Sequence, residues 1–547
     1  MGLPARSFIF IIMWPANPRM QQNYHHCDFR KHGQPGKPKA FLAASQKPQN
    51  VYLRTRAHHQ NIYTLFMNYK HLLFSLFSLL LAGTGWSKQG NTSTKETIAS
   101  LQKDIPVLLQ KSSVPGLSIA LIRNGKLVWT EGFGIADIRN KKPVTVNTVF
   151  EAASLSKPVF AYAILKLVDE GKLNLDTPLN KYLGNNYDVV NDDRINLITA
   201  RHVLSHTSGF PNWRNGKDLP INFAPGSKWS YSGEGMVYLS RVAEKITGLT
   251  FENFMQQYAL QPLGMTSSSY IWRNRYDTLK AFRHDILGNW AGRNQPEDGK
   301  EDPSKDRGNA AASLQTTSTD YAKFIITILN GTGLKKATWQ QMMEPQSRVN
   351  PKYPPVAWGL GIGLETMPDG KYFWHWGDNG DAKAYVCALL PGKNAVVYFA
   401  DGNNGLSFTK EILDDALGGE HPALSHLNYD HYDSPNKQLP RSMVSKGADL
   451  AIKEYEATLK AKGDTVNEDN INDLGYAFMR MKRMDDAIAL FTLNTTHFPN
   501  SPNTWDSLAE AYLNKGDKQK ALEYYEKALQ LNPSSENAAN KVKKLKE

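Results

Sequence analysis

The feature that most constrains the fold is an internal repeat near the C terminus. The stretches that begin at Ile471 and Trp505 carry similar side chains at seven of eight positions that lie 34 residues apart. The aligned pairs are Ile471 and Trp505, Leu474 and Leu508, Gly475 and Ala509, Phe478 and Tyr512, Ala487 and Ala521, Phe491 and Tyr525, Asn494 and Ala528, and Pro499 and Pro533. A period of this length predicts stacked helix pairs, because each pair leaves an apolar face that the next pair covers.

The repeated positions resemble the tetratricopeptide pattern. The preceding "GADLAIKEYEATLKAKG" and the following "ENAANKVKKLKE" have helical patterns and are expected to cap the two ends of the stack. We therefore predict an all-α tetratricopeptide repeat module over residues 441–547. Such a module implies a possible protein partner.

The net charge of +12 is concentrated at the start of the chain. Residues 1–66 contain nine Lys and Arg against the single acid Asp28, so the remainder is only weakly basic. With 41% hydrophobic and 11% aromatic residues, the chain has the composition of a globular enzyme. We therefore expect no nucleic-acid partner.

The segment from Met67, "MNYKHLLFSLFSLLLAGTGWS", has a short basic start, an apolar stretch and then small residues. This order is typical of a secretory signal peptide, which we place at residues 67–87. Its apolar core, Leu72 to Leu81, is shorter than the roughly 20 residues that cross a bilayer, so no stable membrane anchor is expected. Because a signal must lie at the amino end, we interpret residues 1–66 as a disordered gene-model extension. The mature protein is expected to be periplasmic or secreted.

Two cysteines, Cys27 and Cys387, are too few for a disulfide framework. Cys387 lies in the apolar run "AYVCALL" without an evident base beside it, which favours a buried structural thiol over a nucleophile. At 547 residues the chain is long enough to bury a large core without cross-links.

Strand patterns lie at both ends of residues 90–418, and helical patterns lie between them. The stretch "GLSIALIRNGKLVWTEGFG" has two alternating apolar runs around Asn124-Gly125, a dipeptide that favours a tight hairpin. Four further strands are predicted in "AWGLGIGLE", "YFWHWG", "KAYVCALLP" and "NAVVYFA". The fold class is therefore α/β (α+β), an antiparallel sheet flanked by helices and completed by distant segments, with a helical domain between them. Residues 419–440, rich in turn formers, are predicted to be a linker.

Four Ser-x-x-Lys sequences occur in the chain, and this spacing can place a serine nucleophile beside a lysine base. They begin at Ser100, Ser154, Ser407 and Ser434. Only the one at Ser154 opens a helical pattern apolar enough to be central, where burial can lower the lysine pKa and leave a neutral amine. Ser154 and Lys157 are therefore the candidate nucleophile and base.

Two other segments contain candidate partners for this pair. Tyr231 in "KWSYSGEG" lies among Ser and Gly, in a loop where a phenol could shuttle a proton to a leaving group. In "FWHWGDNG", His375 ends a strand close to Gly377, whose lack of a side chain allows close backbone approach to a substrate. Each residue alone also fits a structural role, as a packed aromatic ring or a hydrogen-bonded strand histidine.

Seven blocks, in sequence order, resemble the superfamily of serine β-lactamases and penicillin-binding proteins. More narrowly, they resemble class C β-lactamases, D-Ala-D-Ala carboxypeptidases and family VIII esterases. The blocks are "GFGIAD", "TVFEAASLSKPV", "VLSHTSGF", "WSYSGEG", "AASLQTTSTDYAKF", "WGLGIG" and "HWGDNG". The resemblance implies a β-lactamase-like fold in which Ser154 is acylated, Lys157 is its base and Tyr231 assists proton transfer.

The same resemblance assigns the third motif and the oxyanion hole. His375 and Gly377 occupy the positions of the strand motif that is usually written K-T-G or H-x-G. The backbone N–H groups of Ser154 and Asp378 are then expected to bind the negative oxygen of the tetrahedral intermediate.

The chain departs from this family at the second motif. The motif usually ends in asparagine, whose amide contacts the substrate and the lysine, whereas Gly233 stands at that position. Gly233 and Glu234 remain assigned to substrate binding, with the Glu234 carboxylate as a substitute acceptor. The departure makes efficient β-lactam hydrolysis a weaker expectation than ester or peptide acyl transfer.

The motifs of the chain do not point to a metal or a cofactor, and we expect neither. His202 and His206 have the i, i+4 spacing of zinc ligands, but neither a third ligand nor an H-E-x-x-H motif accompanies them. The sequences G-x-S-x-G and G-x-G-x-x-G and the P-loop are absent from the chain.

The sequence therefore predicts an exported serine hydrolase that forms an acyl-enzyme on a small ester, amide or peptide. The alternative is a catalytically weak or inactive scaffold that binds partners through its repeats. Gly233 favours this alternative, whereas the presence of Ser154, Lys157 and Tyr231 together argues against it. The repeats could also pack on the hydrolase and shape its mouth.

Overall fold

The computed structural model describes residues 93–292, 295, 300–302, 307–350 and 352–547. The predicted signal peptide and the segment before it lie outside the described residues. Within the described part of the chain, no helix is both long enough and apolar enough to cross a membrane.

A nine-stranded antiparallel sheet forms the centre of the larger part of the molecule. The strands of the chain are β1 (Gly116–Arg123), β2 (Lys126–Asp137), β3 (Lys142–Pro143), β4 (Phe150–Glu151), β5 (Arg283–His284), β6 (Trp290–Gly292), β7 (Gln315–Thr316), β8 (Ser347–Arg348), β9 (Val356–Trp358), β10 (Gly363–Met367), β11 (Gly370–Asp378), β12 (Lys383–Leu389) and β13 (Asn394–Ala400). The order across the sheet is β3-β2-β1-β13-β12-β11-β10-β9-β8, while β4 pairs with β7 and β5 with β6. The predicted hairpin joins β1 and β2, and the distant strand β13 completes the sheet beside β1.

Helices cover both faces of this sheet and continue beyond it. The α-helices span Thr94–Ser112, Ser156–Asp169, Leu179–Leu183, Ala200–Leu204, Gly233–Thr247, Phe251–Met255, Tyr276–Leu279, Ser318–Asn330, Lys336–Met342, Thr409–Ala416, Pro422–Leu427, Pro435–Lys446, Ala448–Lys462, Glu468–Arg480, Met484–His497, Pro502–Lys515, Lys518–Leu531 and Glu536–Lys546. A π-helical turn spans Gln256–Leu260, and 3₁₀ turns span Ala153–Leu155, Asp193–Leu197 and Pro391–Lys393. This arrangement is the mixed α/β class that the sequence predicts.

Side chains of the central strands alternate between two apolar layers. From position 395 onward, odd-numbered residues of β13 face the layer that contains the helix Ser156–Asp169, and even-numbered residues face the layer that contains Thr94–Ser112. This period of two is what a strand buried on both faces requires. The helix Ser156–Asp169 is buried over most of its length and is central, as its apolar sequence predicts. Cys387 in β12 is a buried free thiol.

The C-terminal helices follow the 34-residue repeat. Glu468–Arg480 and Met484–His497 form one helix pair, and Pro502–Lys515 and Lys518–Leu531 form the next. The pairs share apolar cores, and the last core also buries Val542 of the terminal helix. The terminal helix therefore covers the end of the stack, as a cap must.

The segment predicted to be a linker, residues 419–440, contains helices. It forms Pro422–Leu427 and the beginning of Pro435–Lys446. Both helices begin at a proline, whose fixed φ suits a first helical turn and whose missing N–H leaves no hydrogen bond unmade there. The turn-forming residues therefore mark helix ends, and the side chains of Tyr432 and Leu439 are buried. The segment is a packed part of the structure and differs in this respect from the prediction.

Candidate active site

Ser154 lies in the 3₁₀ turn Ala153–Leu155, immediately before the helix Ser156–Asp169. The preceding residue, Ala153, has a φ of 48°, in the left-handed region that favours glycine. Such a conformation costs on the order of 1–3 kcal/mol and is typical of functional sites. The turn leaves Ser154 partly exposed while both of its neighbours are buried.

The amine of Lys157 contacts this serine. Its Nζ lies 2.9 Å from Ser154 Oγ and 2.8 Å from the carbonyl oxygen of Ala311. The lysine is buried, and burial lowers its pKa to about 7. A neutral amine can donate one hydrogen to the carbonyl and direct its lone pair to the serine proton. The pair therefore has the geometry and the protonation state that nucleophile activation requires.

Tyr231 places its aromatic ring beside the same amine. Lys157 Nζ lies 4.6 Å from the ring centroid. Burial raises the pKa of the Tyr231 phenol, although its interaction with the Ser154 side chain acts in the opposite direction. Among the described residues the hydroxyl has no hydrogen-bond partner of good geometry. The phenol therefore stays protonated at neutral pH and can relay a proton, whereas the role of base belongs to Lys157.

His375 lies in β11 with its ring 6.2 Å from that of Tyr231. Its Nδ1 lies 2.7 Å from the carbonyl oxygen of Trp376, so Nδ1 carries the hydrogen and donates it. Nε2 is then an acceptor, and it has no partner within the described part of the chain. Burial lowers the pKa of His375 to about 3, and the nearby charge of Lys157 adds to the effect. The third motif therefore presents a neutral imidazole to the site.

Gly377 lets β11 lie against the turn that carries the nucleophile. A Cβ atom at this position would lie 2.5 Å from the carbonyl oxygen of Ala152 and 3.3 Å from Cβ of Ala153. The N–H of Asn379 donates to the carbonyl of Ala382 across the β11–β12 turn at 3.0 Å. Because N–H groups alternate along a strand, the N–H of Asp378 points away from β12, as an oxyanion donor would.

The side chain of Asp378 is held by two groups. Lys383 Nζ donates to one carboxylate oxygen, and the Tyr429 hydroxyl donates to the other at 2.7 Å. Burial alone would raise the pKa of this carboxyl, but the charge and hydrogen bond of Lys383 outweigh burial and lower it. Tyr429 therefore brings residues of the predicted linker into contact with the end of β11.

Gly233 begins the helix Gly233–Thr247, and a neighbouring indole takes the space of its missing side chain. A Cβ atom at Gly233 would lie 2.7 Å from Cη2 and 2.8 Å from Cζ2 of Trp213. A larger residue at position 233 therefore requires Trp213 to move. The indole of Trp213 therefore fills the space beside Gly233, where the family motif has the side-chain amide of an asparagine.

The Glu234 carboxylate does not take the predicted role of a substrate acceptor. Arg214 donates to it from Nε at 3.0 Å, from Nη2 at 2.8 Å and from its backbone N–H at 3.2 Å. Both side chains are largely buried. A carboxylate engaged in this way fixes the loop that contains Arg214 and has little capacity for a ligand.

His206 is a site neighbour that the sequence suggested only as a possible zinc ligand. Its ring lies 4.3 Å from that of Tyr231, and its Nδ1 accepts the backbone N–H of Ser232 at 3.1 Å. Burial lowers its pKa, so the imidazole is neutral and holds the Tyr231 segment. His202 contacts the carbonyl oxygen of Leu197 instead, at 3.0 Å. The two histidines thus serve separate structural contacts.

Glu365, Cys387 and His421 are the one group of three potential metal ligands that converges in the described part of the chain. His421 Nδ1 lies 2.7 Å from the Glu365 carboxylate, and its Nε2 lies 3.1 Å from the carbonyl oxygen of Gly418. Both ring nitrogens of His421 therefore lie within hydrogen-bond distance of oxygen atoms of the protein. Burial raises the pKa of the Cys387 thiol, which keeps it protonated.

The structure brings most of the predicted site residues together and adds three that were not predicted. Ser154, Lys157, Tyr231, His375, Gly377 and Asp378 converge, and Gly233 borders them. The unpredicted neighbours are His206, Trp213 and Tyr429. His206 lies in the quoted block "VLSHTSGF" and Trp213 follows that block closely, whereas the sequence around Tyr429 contains no signal of a role.

Two curated relatives are similar to parts of this chain. Protein flp of Staphylococcus aureus strain N315 is 27% identical over 333 residues, which cover 57% of this chain and 64% of that protein. Esterase EstB of Burkholderia gladioli is 30% identical over 192 residues, which cover 30% of this chain and 49% of the esterase. The chain therefore spans less than two thirds of the length of either relative.

Solved structures share the fold. The octameric penicillin-binding protein homologue from Pyrococcus abyssi superimposes with a TM-score of 0.50 at 22% identity, covering 63% of this chain and 81% of that chain. The D-alanine carboxypeptidase AmpC from Burkholderia cenocepacia superimposes with a TM-score of 0.51 at 18% identity, and the match covers 60% of this chain and 99% of the carboxypeptidase. Both confirm the predicted β-lactamase-like fold.

Family profiles match two separate parts of the chain. The tetratricopeptide repeat profile matches residues 502–535, which confirms the repeat predicted from the 34-residue period. The beta-lactamase profile matches residues 101–418, more than half of the chain, and contains the converging side chains described above. The chain therefore belongs to the beta-lactamase family.

Proposed function

We propose that the protein is an exported serine hydrolase that cleaves a small ester, amide or peptide through an acyl-enzyme on Ser154. The observation that carries the proposal is the buried amine of Lys157, with a pKa of about 7, at 2.9 Å from Ser154 Oγ. The esterase among the relatives and the carboxypeptidase among the structural neighbours support acyl transfer as the reaction class.

Acylation begins with transfer of the Ser154 hydroxyl proton to Lys157 Nζ while Oγ bonds to the substrate carbonyl carbon. Negative charge develops on the carbonyl oxygen, and the backbone N–H groups of Ser154 and Asp378 stabilise it. The bond to the leaving alcohol or amine then breaks. The proton held by Lys157 passes to the leaving group, with the Tyr231 phenol as relay.

Deacylation uses the same groups in reverse order. The amine of Lys157, neutral again after the leaving group departs, accepts a proton from water through Tyr231 as the water oxygen attacks the ester carbonyl. The bond between the acyl carbon and Ser154 Oγ breaks, and Oγ recovers the proton. The products are a carboxylic acid and the free enzyme.

Covalent labelling of the folded full chain tests this proposal. A fluorophosphonate probe is expected to label the wild-type chain and to fail on Ser154→Ala, while Ser434→Ala is labelled as wild type. A radiolabelled penicillin, applied in parallel, reports whether β-lactams acylate the same serine. Absence of fluorophosphonate labelling in folded wild-type protein would contradict the proposal and favour the scaffold alternative.

Export is the part of the proposal that concerns residues 67–87. A coding sequence that starts at Met67, expressed with a C-terminal tag in a bacterial host, is expected to yield processed protein in the periplasm or medium. Amino-terminal sequencing of that protein should place the cleavage site between Gly83 and Ser87. Unprocessed protein confined to the cytoplasm would contradict export.

The tetratricopeptide repeat indicates a protein–protein contact, and we infer a protein partner for the C-terminal helices. Binding should be reconstituted from the purified full chain and a purified partner, measured by calorimetry. A substitution in the second helix pair, such as Tyr524→Asp, is expected to weaken this binding. Equal affinity for the variant would place the contact elsewhere.

A further inference from the structure

The indole of Trp213 lies beside Gly233, two residues after Tyr231. Ser232 has extended backbone angles, with φ −137° and ψ 118°, so Tyr231 and Gly233 on either side of it face the same direction. That direction leads to Ser154, because the Tyr231 hydroxyl interacts with the Ser154 side chain. Trp213, which occupies the space next to Gly233, therefore borders the face where the substrate reacts.

The loop on both sides of Trp213 is fixed in position. The carbonyl oxygen of Asn212 accepts the N–H groups of Gly233 at 3.0 Å and Glu234 at 3.1 Å. On the other side of Trp213, Arg214 is held by the Glu234 carboxylate. The indole itself remains 37% exposed. An exposed aromatic ring on an anchored backbone is a preorganised surface for an apolar group.

A second indole extends this aromatic surface. Trp376 is partly exposed, and its ring lies 4.8 Å from that of Tyr231. Tyr231 therefore lies beside a partly exposed indole, and aromatic rings of this kind contact hydrocarbon and aryl groups favourably.

Two cations in the segments that form this surface are already paired. Arg214 binds Glu234 and Asp188, and Lys383 binds Asp378. His375 is neutral because it is buried. A substrate with a free carboxylate near the scissile bond would have to compete for these cations, whereas a neutral substrate does not.

We propose that Trp213 forms a wall of the acyl-binding subsite and that the preferred substrates are neutral esters with an apolar or aromatic acyl group. The proposal rests on the proposed function, since it names the substrates of the same nucleophile. Indole offers a large apolar face but only one hydrogen-bond donor and no acceptor. An acyl group that contains an amide therefore gains less from this wall than a hydrocarbon of equal size.

Three esters with one leaving group test the proposal on the full chain. They are p-nitrophenyl acetate, p-nitrophenyl 3-phenylpropanoate and p-nitrophenyl N-acetylglycinate. The wild type is expected to favour the phenylpropanoate over the acetate in kcat/KM by roughly 10-fold or more. Trp213→Ala should lose most of this preference while its kcat/KM for the acetate changes by less than about 3-fold.

Trp290→Ala is a matched control, because Trp290 is also an exposed tryptophan but packs beside Arg139. Trp290→Ala should leave kcat/KM for all three esters unchanged. The double variant Trp213→Ala/Gly233→Asn replaces the indole by an amide. It is expected to shift the preference toward the N-acetylglycinate, provided that its circular dichroism matches wild type.

The outcomes separate the two proposals. Fluorophosphonate labelling of Ser154 together with equal kcat/KM for all three esters would overturn the role of Trp213 and leave the hydrolase in place. A Trp213→Ala variant that slows all three esters by one factor would also overturn it, since that result indicates a structural role. A chain that is neither labelled nor active on any ester would overturn the proposed function itself.

Discussion

Two helix starts in this molecule have the same Ser-x-x-Lys sequence and a lysine that is buried or partly buried, yet only in one does the lysine amine contact the serine hydroxyl. Burial lowers the pKa of Lys157 to about 7 and that of Lys437 to about 8. Lys157 Nζ contacts Ser154 Oγ, whereas Lys437 Nζ donates to Asn404 Oδ1 at 3.1 Å. The Ser-x-x-Lys spacing and a lowered lysine pKa are therefore insufficient by themselves to activate a serine.

The backbone decides between the two outcomes. Ser434 is the N-cap of the helix Pro435–Lys446, and its Oγ accepts the backbone N–H of Lys437 at 3.3 Å. Ser154 instead lies in a 3₁₀ turn before its helix, after Ala153 in the left-handed region, and caps nothing. A serine that caps a helix directs its oxygen at backbone donors, while a serine released from that role can meet a side chain.

The largest expected difference between the two starts is the loss of the serine. Ser154→Ala should lower kcat for a reactive ester on the order of 10⁶-fold, as loss of the nucleophile does in known serine hydrolases. Ser434→Ala should leave kcat unchanged and lower the free energy of unfolding by about 1 kcal/mol, because a helix cap is lost. Ester hydrolysis and urea unfolding measure the two effects. Comparable loss of activity in both variants would contradict the distinction between Ser154 as nucleophile and Ser434 as helix cap.

Replacing each lysine is the next test. Lys157→Met should lower kcat/KM by about 10²–10⁴-fold, since the general base is removed while the volume is kept. Lys437→Met keeps the buried hydrocarbon and removes an amine that contacts only Asn404 among the described side chains, so activity should stay within about 3-fold of wild type. Steady-state kinetics at pH 8 measure kcat/KM for both variants. Full activity of Lys157→Met would refute its role as base.

The pH dependence of kcat/KM also distinguishes Lys157 from Lys437. The base must be neutral, so kcat/KM should be constant above about pH 7 and fall tenfold per unit below it, in line with the pKa of Lys157. The Lys437→Met variant should keep this acid limb, because its amine does not take part in the reaction. Loss of the acid fall in kcat/KM in Lys437→Met would show that another group is the base. A fall centred near the usual pKa of a carboxylate would show the same.

The smallest expected effect comes from a residue that links the two regions. Tyr429 lies a few residues before Ser434 and donates to the Asp378 carboxylate. Tyr429→Phe removes one hydrogen bond at the end of β11 and should lower kcat by about 3- to 10-fold with little change in KM. Tyr432→Phe in the same segment is the control. Equal rates for wild type and Tyr429→Phe would show that the Asp378 backbone is positioned without this contact.

The parts of the fold and site that the sequence predicts are those with a local period or spacing. The 34-residue repeat, the Asn124-Gly125 hairpin and the apolar helix after Ser154 each follow from neighbouring residues alone. The i, i+3 placement of Ser154 and Lys157 also follows from helix geometry. These features therefore needed no knowledge of tertiary contacts.

The remaining features depend on contacts between distant segments. The sequence suggests that Glu234 is free to bind substrate, but Arg214 reaches it from the preceding loop. Trp213 fills the space beside Gly233 from that same loop. Tyr429 appears in a stretch without apolar period that packs on the site. Their roles could be predicted only by knowing which loop lies against which helix.

The pairing of β1 with β13 has a consequence for the order of folding. Leu117 lies opposite Ala400, so the middle of the sheet cannot form until nearly the entire family domain has been synthesised. Contacts between such distant residues slow folding, whereas the helix pairs after residue 467 contact their sequence neighbours and fold quickly. The last part of the chain to be made is therefore expected to fold without delay, and the catalytic part to remain unfinished for longer. A family domain that stays open during synthesis is compatible with passage through a secretion channel, as the export that we propose would require.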